Sequence, residues 1–258
     1  MKTFWTQRYL VDTRAVDVFG CARPSFIMSA LQETSAEHMW YHKCGRLHLQ
    51  KEFGYAWIMS KQEYCLTRPI FADEVLEVRS CMRKPGLASV YRDFELFASG
   101  ELCGTARNEW SIIDIEKRRI IKLPTVEPLM AMENAALSEE KLGRIKPPIP
   151  LTEWGTRTVH YSDCDSNVHL NNVRYGDFVC DAIDYQNEKG WIDRFFLQFH
   201  RELPMGGTVL LRTGREGDLI WADGLDGNGR SCFAAELHMA PPWTGPVPVY
   251  EFPPDDGE

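Results

Sequence analysis

The sequence lacks two features that would have indicated particular classes of protein. It has no excess of positive charge, since 29 lysines and arginines stand against 37 aspartates and glutamates and give a net charge of −8. A protein that grips nucleic acid needs a basic surface to release counterions from phosphates. The chain also has no apolar run near the ~18 residues that a membrane-spanning helix requires. We therefore expect no nucleic-acid partner and no membrane insertion.

The sequence also lacks any C-x-x-C pair among its eight cysteines. Its first ten residues are polar and strand-like, so we expect no secretory signal peptide. Disulfides persist in oxidising compartments and are rare in the cytosol. The cysteine pattern therefore predicts free thiols in a cytoplasmic protein.

What is present indicates an ordinary globular protein of one large domain or two smaller ones. Hydrophobic residues make up 44% of the 258 residues and charged residues 26%, as in typical soluble domains. Five prolines and weak periodicity between residues 123 and 151 indicate a linker. We divide the chain accordingly. A first unit covers 1–123, a linker 124–151, a second unit 152–240 and an extended proline-rich tail 241–258.

Both units repeat one order of elements: a strand, a polar loop, a long helix and an antiparallel meander. The helices are predicted over about 24–44 and about 171–188, because their apolar residues recur at helical spacing. Strand-like runs lie at 4–11, 55–66, 74–82, 89–97, 104–115 and 119–123, and at 153–161, 195–202, 208–215, 219–225 and 230–239. One long helix per antiparallel sheet predicts an α+β fold in which each sheet curls around its helix.

The densest polar segment is SDCDSNVHLNN, residues 162–172, between a predicted strand and a predicted helix. Capping needs only one or two Ser, Asp or Asn residues before a helix, so the whole run D-x-N-x-H-x-N-N exceeds that need. Acyl transfer requires donors aimed at the carbonyl oxygen and a base for the nucleophile. Asn167 can hold a water or a carbonyl, His169 can relay a proton near neutral pH, and Asp165 can orient either side chain.

The segment D-C-D-S-N-V-H-L-N-N-V-R-Y, residues 163–175, strongly resembles the signature of plant and bacterial acyl-acyl-carrier-protein thioesterases. The resemblance covers most of the chain. It implies two tandem hotdog units, each a long helix wrapped by a curled antiparallel sheet, in agreement with the order of elements. It also implies hydrolysis of fatty acyl-acyl-carrier-protein thioesters in fatty acid biosynthesis, without a cofactor.

The resemblance places catalytic residues at Asp165, Asn167 and His169. The family's acidic residue lies in a segment similar to Y-R-R-E-C, which F-H-R-E-L matches here and which places the acid at Glu202. A cysteine follows that acid in some members, but Leu203 occupies the position in this chain. This favours attack by a water that Glu202 activates. Alternation along the predicted strand puts Glu202 on one face with aromatic residues, and a salt bridge at the rim is its alternative reading.

Substrate contacts are expected from Asn171 and Asn172, at the predicted start of the second helix, and from Trp57. The resemblance implies that the acyl chain lies in the first unit. Four further apolar residues are candidates for its walls, although each also fits an ordinary core. They are Ile27, Leu31, Met59 and Phe94.

The expected partner is an acyl carrier protein that bears a 4′-phosphopantetheine-linked acyl chain. By family analogy this carrier is small and acidic, so a chain of net charge −8 needs a local basic patch to bind it. The candidates are 117–119, 144–146 and Arg174, each of which also fits a solvated surface charge. Two units could satisfy each other's sheet edges and so complete a monomer, and the sequence also allows a homodimer.

Several alternatives stay open at this point. A hotdog dehydratase or hydratase also acts on thioester-linked chains, but it abstracts a proton beside the carbonyl. A non-catalytic acyl-thioester sensor would bind without turnover, and an acyl-coenzyme A thioesterase would use another donor. A metal at Asp163, Asp165 and His169 matches no standard zinc spacing, so we expect none.

Overall fold

The computed structural model of the chain describes residues 4–132 and 135–247. Residues 1–3 of the predicted first unit lie outside these described residues. The first unit contains two helices and six strands. In chain order they are β1 (Trp5–Leu10), α1 (Pro24–Tyr41), α2 (Arg46–Phe53), β2 (Tyr55–Leu66), β3 (Val75–Met82), β4 (Val90–Ala98), β5 (Glu101–Asp114) and β6 (Arg119–Ile120).

The linker and the second unit complete the set of elements. They contain α3 (Glu127–Met130), β7 (Thr152–Thr158), α4 (Arg174–Ala182), β8 (Trp191–Phe199), β9 (Thr208–Glu216), β10 (Leu219–Asp226) and β11 (Ser231–Ala240). Residues 133–134 of the predicted linker and 248–258 of the predicted tail lie outside the described part of the chain.

The strands join in one antiparallel sheet. Its path runs β1-β3-β4-β5-β2-β8-β11-β10-β9-β7, and β6 pairs with β5. The two units meet edge to edge at β2 and β8, where Lys61 lies opposite Gln198 and Cys65 lies opposite Arg194. A large antiparallel sheet with few helices confirms the predicted α+β class.

Helices α1 and α4 contact each other and pack against the sheet. Ile27 and Leu31 of α1 and Phe178 of α4 are at most 1% exposed. They belong to one hydrophobic cluster that also contains Phe94 of the first unit and Phe233 of the second. The apolar stripe of each helix is therefore buried in a core that both units share.

The first helix is shorter than predicted, because the chain breaks it into two. Helix α1 begins at the predicted Pro24 but ends at Tyr41, and α2 follows. Gly45 is the residue before α2 begins, and Gly54 ends α2 with a left-handed φ of 70°. Only Leu49 of α2 is buried, so α2 carries almost no apolar periodicity that would have predicted it.

The second helix is also shorter than the predicted 171–188. The N–H of Val173 donates to Oδ1 of Asn171 at 3.2 Å, which forms a turn before α4 begins. After α4, Asp184 adopts a left-handed φ of 55°, a conformation that ends a right-handed helix. The Asn residues at the start of the predicted helix thus belong to the preceding loop.

The linker packs on the sheet. Leu142 and Ile145 contact Phe196 and Trp221, whereas Phe195, the neighbour of Phe196, points into the shared core. Because successive strand side chains point to opposite faces, the linker covers the face away from α1 and α4. The part of the predicted linker around Leu142 and Ile145 therefore forms a packed layer on the sheet.

Two further observations concern helices and thiols. None of the helices in the described ranges is long and apolar enough to cross a bilayer. No disulfide joins any of the eight cysteines, each of which is described.

Candidate active site

The predicted polar segment forms a loop between β7 and α4 whose backbone is fixed by two antiparallel bridges. Cys164 pairs with Leu170 across the loop, and His169 pairs with Pro204 in the segment after β8. The N–H of Leu170 donates to the carbonyl of Leu203 at 2.7 Å. Backbone pairing therefore holds the loop against the chain that carries Glu202.

A strained turn lies inside this loop. Val168 has a left-handed φ of 64°, which a β-branched residue rarely adopts. Its N–H donates to the carbonyl of Asp165 at 3.1 Å, and its own carbonyl accepts from the N–H of Met205 at 3.1 Å. Strain of this kind persists only where the surroundings enforce it, and it is concentrated at functional sites.

The carboxylate of Asp165 orients two neighbouring side chains. One oxygen accepts from the backbone N–H of Asn167 at 2.8 Å, and the other accepts from the Asn167 side-chain amide at 3.3 Å. Nδ1 of His169 lies 3.7 Å from the first oxygen. Asp165 thus fixes the rotamer of Asn167 and faces one edge of the His169 ring.

Glu202 faces the other edge of that ring. Its Oε1 lies 4.0 Å from Nε2 of His169, and its side chain is 60% exposed. The predicted strand over 195–202 is wrong in its last residues, because β8 ends at Phe199. The alternation of side chains along a strand therefore does not determine the position of Glu202. The bridge between His169 and Pro204 holds Glu202 near His169.

These four residues line one large cavity. It has a volume of about 460 Å³, and Asp165, Asn167, His169 and Glu202 form part of its wall together with Asn172. The remaining walls come from the first unit. They contain Gln32, Ser35, Ala36, Met39, Gly45, Arg46, Gln50, Tyr55, Ala56, Trp57, Ile58, Val90, Arg92, Trp110, Ile113, Ile115 and Arg118. The loop of the second unit therefore faces a mostly apolar space of the first.

The cavity has a buried side with polar groups that the sequence did not single out. Arg92 is 2% exposed, and its guanidinium donates to Ser80 at 2.7 Å and to Nδ1 of His38 at 2.8 Å. Two other buried lining atoms, Oε1 of Gln32 and Nε1 of Trp110, have no hydrogen-bond partner among the described residues. A bound polar group could pair with these atoms. The pairing of β5 with its neighbouring strands places Trp110 beside the cavity. The sequence around Trp110 gives no signal of this position.

The expected substrate-contacting residues divide into two groups. Trp57 and Asn172 line the cavity, and the Trp57 indole donates to the carbonyl of Cys44 at 2.8 Å. Asn171 is absent from the lining residues, and its side chain forms the turn before α4. The other apolar candidates are also absent from the lining, because their side chains are taken up by the interior. Ile27, Leu31 and Phe94 belong to the shared core, and Met59 is 6% exposed.

No cysteine lines the cavity among the residues described. The nearest in sequence is Cys164, whose thiol donates to the carbonyl of His160 at 3.3 Å. Desolvation raises the pKa of the Cys164 thiol, and the charges of Asp163 and Asp165 raise it further. Because the thiolate is the reactive form, Cys164 is unsuited to act as a nucleophile.

The side chain of Asp163, the other acidic residue of the loop, does not line the cavity. Asp163 accepts a hydrogen bond from the backbone N–H of His160 at 2.9 Å. Within the described ranges, no group of three His, Cys, Asp or Glu side chains is arranged to hold a metal ion.

Comparison with known families and sequences gives consistent matches. The acyl-ACP thioesterase N-terminal domain matches residues 2–127, and the acyl-ACP thioesterase C-terminal domain matches residues 153–220. The oleoyl-acyl carrier protein thioesterase of Coriandrum sativum is 22% identical over 243 residues, which cover 83% of this chain and 63% of the relative. The palmitoyl-acyl carrier protein thioesterase of Gossypium hirsutum is 23% identical over 197 residues, which cover 69% and 46%. The chain thus spans less than two thirds of these relatives.

Solved structures give the same picture of the fold. An acyl-ACP thioesterase from Bacteroides thetaiotaomicron aligns with a TM-score of 0.80 at 20% identity, covering 92% of this chain and 98% of its own. A 12:0-ACP thioesterase from Umbellularia californica aligns with a TM-score of 0.77 at 18% identity, covering 92% and 97%. These likenesses confirm the predicted architecture of two tandem hotdog units.

Proposed function

The chain belongs to the acyl-ACP thioesterase family, and on that premise we propose that it hydrolyses fatty acyl-acyl-carrier-protein thioesters to free fatty acid and carrier protein. One observation carries the proposal. Asp165, Asn167, His169 and Glu202 come together on the wall of a cavity that the first unit otherwise encloses. Such a cavity joins a polar reaction centre to a mostly apolar space for an acyl chain.

In the proposed reaction, Glu202 takes a proton from a water that Asn167 holds, and the water oxygen attacks the thioester carbonyl carbon. The C–S bond then breaks, and the proton passes to the departing pantetheine sulfur. Because the Glu202 side chain is 60% exposed, its carboxylate is well hydrated before substrate binds. A bound acyl-pantetheine would exclude bulk water from Glu202 and leave the attacking water in place.

The negative charge on the carbonyl oxygen needs donors that are in place beforehand. Among the described residues, the backbone N–H of Asn172 has no acceptor, and Asn172 lines the cavity. We assign this N–H, with the side chain of Asn167 or His169, to the oxyanion. Asp165 acts through its neighbours, because its carboxylate holds Asn167 and faces His169.

The acyl chain occupies the part of the cavity that the first unit lines. The lack of a disulfide among the eight described cysteines supports a cytoplasmic location. The carrier protein is the proposed donor, and coenzyme A is the alternative donor of the same acyl thioester.

Thiol release from acyl-acyl-carrier-proteins of several chain lengths tests the function. We expect stoichiometric release of free fatty acid and carrier thiol, with a preferred chain length. Formation of an enoyl thioester without thiol release would instead indicate a dehydratase. Saturable binding without any turnover would indicate a sensor, and turnover of acyl-coenzyme A alone would change the donor.

A further inference from the structure

Exposure of the lining residues separates the buried side of the cavity from its mouth. Met39, Val90 and Arg92 are at most 6% exposed and form the closed side. Arg46 and Arg118 also line the cavity, but their side chains are exposed to solvent. These two arginines are therefore among the exposed residues at the mouth of the cavity, which also include Glu202.

These two arginines come from separate elements. Arg46 is the first residue of α2, and Arg118 lies in the turn that joins β5 to β6, with a left-handed φ of 50°. The two elements are neighbours, because the N–H of Ile115 donates to the carbonyl of Gly54 at the end of α2. The fold thus brings Arg46 and Arg118 to the same cavity.

Neither guanidinium has a carboxylate partner among the described residues. Asp114, at the start of the turn that contains Arg118, pairs with Lys117 at 2.9 Å. Exposed arginines elsewhere in the chain do form ion pairs, such as Arg174 with Asp177 at 2.8 Å. Two arginines at one cavity mouth are therefore free to bind an anion.

The local charge around the mouth opposes that of the whole chain. Residues 43–54 contain three lysines or arginines and one acidic residue. Residues 114–122 contain four lysines or arginines and two acidic residues. The whole chain has 29 basic and 37 acidic residues. Locally concentrated positive charge attracts and orients an anion before contact. An arginine fork also matches the oxygens of a phosphate in geometry.

We propose that Arg46 and Arg118 bind the phosphate ester at the end of the pantetheine arm, which fixes the thioester at Asn167 and Glu202. This inference rests on the proposed function, because each donor in that proposal carries its acyl chain on a pantetheine arm. Carrier protein and coenzyme A share this phosphate chemistry. The arm enters at the arginines, and the acyl chain extends toward the buried side.

The test compares thiol release from three donors that bear the same acyl chain: acyl-carrier-protein, acyl-coenzyme A and acyl-pantetheine, which lacks the phosphate. The variant is R46Q/R118Q. A matched control, K51Q/K122Q, removes two positive charges from the same two segments at exposed residues that do not line the cavity.

We expect R46Q/R118Q to raise KM for both phosphate-bearing donors by roughly tenfold to a hundredfold with kcat little changed, since a charged hydrogen bond contributes ~1.5–3 kcal/mol. KM for acyl-pantetheine should stay within about twofold in both variants. Carrier protein and coenzyme A are distinguished by which of the two the unaltered chain turns over.

An equal rise in KM for acyl-pantetheine, or an equal effect of K51Q/K122Q, would overturn the assignment. A second measurement separates this outcome from failure of the proposed function. Phosphopantetheine should bind the unaltered chain more tightly than pantetheine in a calorimetric titration, and R46Q/R118Q should abolish the difference. If no thioester is hydrolysed but this difference is present, the phosphate site stands and the hydrolase proposal fails. Equal binding of the two compounds refutes the phosphate site.

Discussion

Nε2 of His169 lies 4.0 Å from Oε1 of Glu202, and backbone pairing determines this separation. The bridge between His169 and Pro204 holds the two chain segments side by side. The distance exceeds that of a direct hydrogen bond. Catalytic hydrogen bonds are often long in a site without substrate and shorten when it binds. A bound thioester and its attacking water can therefore contact both side chains.

Glu202→Gln should lower kcat at least a hundredfold, because loss of a general base typically costs ~10²–10⁴-fold in rate. Glutamine keeps the shape of the side chain but cannot accept the proton from water. Thiol release under saturating acyl-carrier-protein measures the effect. Glu216→Gln, at an exposed position at the end of β9, is the control. Full activity in a folded Glu202→Gln protein would refute the assignment.

Asp165 should act as a positioning residue, so its two substitutions should differ. Asp165→Asn keeps one oxygen that can accept from the Asn167 N–H, whereas Asp165→Ala removes both acceptors. We expect both variants to lower kcat more than they raise KM. Asp165→Ala should be less active than Asp165→Asn by about threefold to tenfold, because it also loses one neutral hydrogen bond. Equal activity of the two variants would show that orientation by Asp165 is unimportant.

The loop residues of the site could be predicted because they are adjacent in the sequence. Asp165, Asn167 and His169 occupy one turn, and their spacing exceeded what a helix cap needs. Glu202 came only from the family resemblance. The strand predicted over 195–202 extends too far, because β8 ends at Phe199, and no local pattern encodes the bridge that positions Glu202.

The cavity walls could not be predicted from apolar periodicity. Periodicity finds residues that are buried, such as Leu31 and Phe94, and both lie in the shared core. It does not show which buried residues face a void, because that depends on how helices and strands meet. Val90 lies opposite Trp110 in the β4–β5 pairing, and both line the cavity. The α+β class, in contrast, followed from element order alone.

Asp93→Asn should destabilise the fold by about 3–5 kcal/mol, because it leaves buried cations without their counter-charge. The Asp93 side chain is 3% exposed and lies 2.6 Å from Arg83 and 3.6 Å from Arg107. It also accepts from the N–H of Leu137 at 3.0 Å, which ties the linker to β4. Denaturant unfolding measures the free energy.

The control for that prediction is Asp177→Asn, which breaks a more exposed pair with Arg174, whose side chains are 43% (Arg174) and 23% (Asp177) exposed. Exposed pairs contribute at most ~1 kcal/mol. A loss of similar size in Asp93→Asn and Asp177→Asn would contradict the view that the Asp93 cluster anchors the linker to the sheet.

His38 should make folding stability depend on pH in the acid range. It is 5% exposed, its ring stacks on Trp5, and its Nδ1 accepts from the guanidinium of Arg92 at 2.8 Å. Burial, together with the smaller effects of the charges of Arg92 and His42, lowers the pKa of His38 from 6.5 to about 3. The folded chain therefore keeps His38 neutral where the unfolded chain protonates it.

The sign of the effect follows from proton linkage. Between pH 6.5 and about 3, the unfolded state binds one more proton at His38, so the free energy of unfolding falls as pH falls. One group contributes at most ~1.4 kcal/mol for each pH unit. His38→Gln removes this group and should flatten the slope of unfolding free energy between pH 6.5 and 4 relative to the parent, whatever its cost at neutral pH. His48→Gln, at a partly exposed position on α2, should keep the parent slope. Denaturant unfolding at several pH values measures all three slopes, and identical slopes in His38→Gln and the parent would show that His38 is not held neutral by the Arg92 contact and burial.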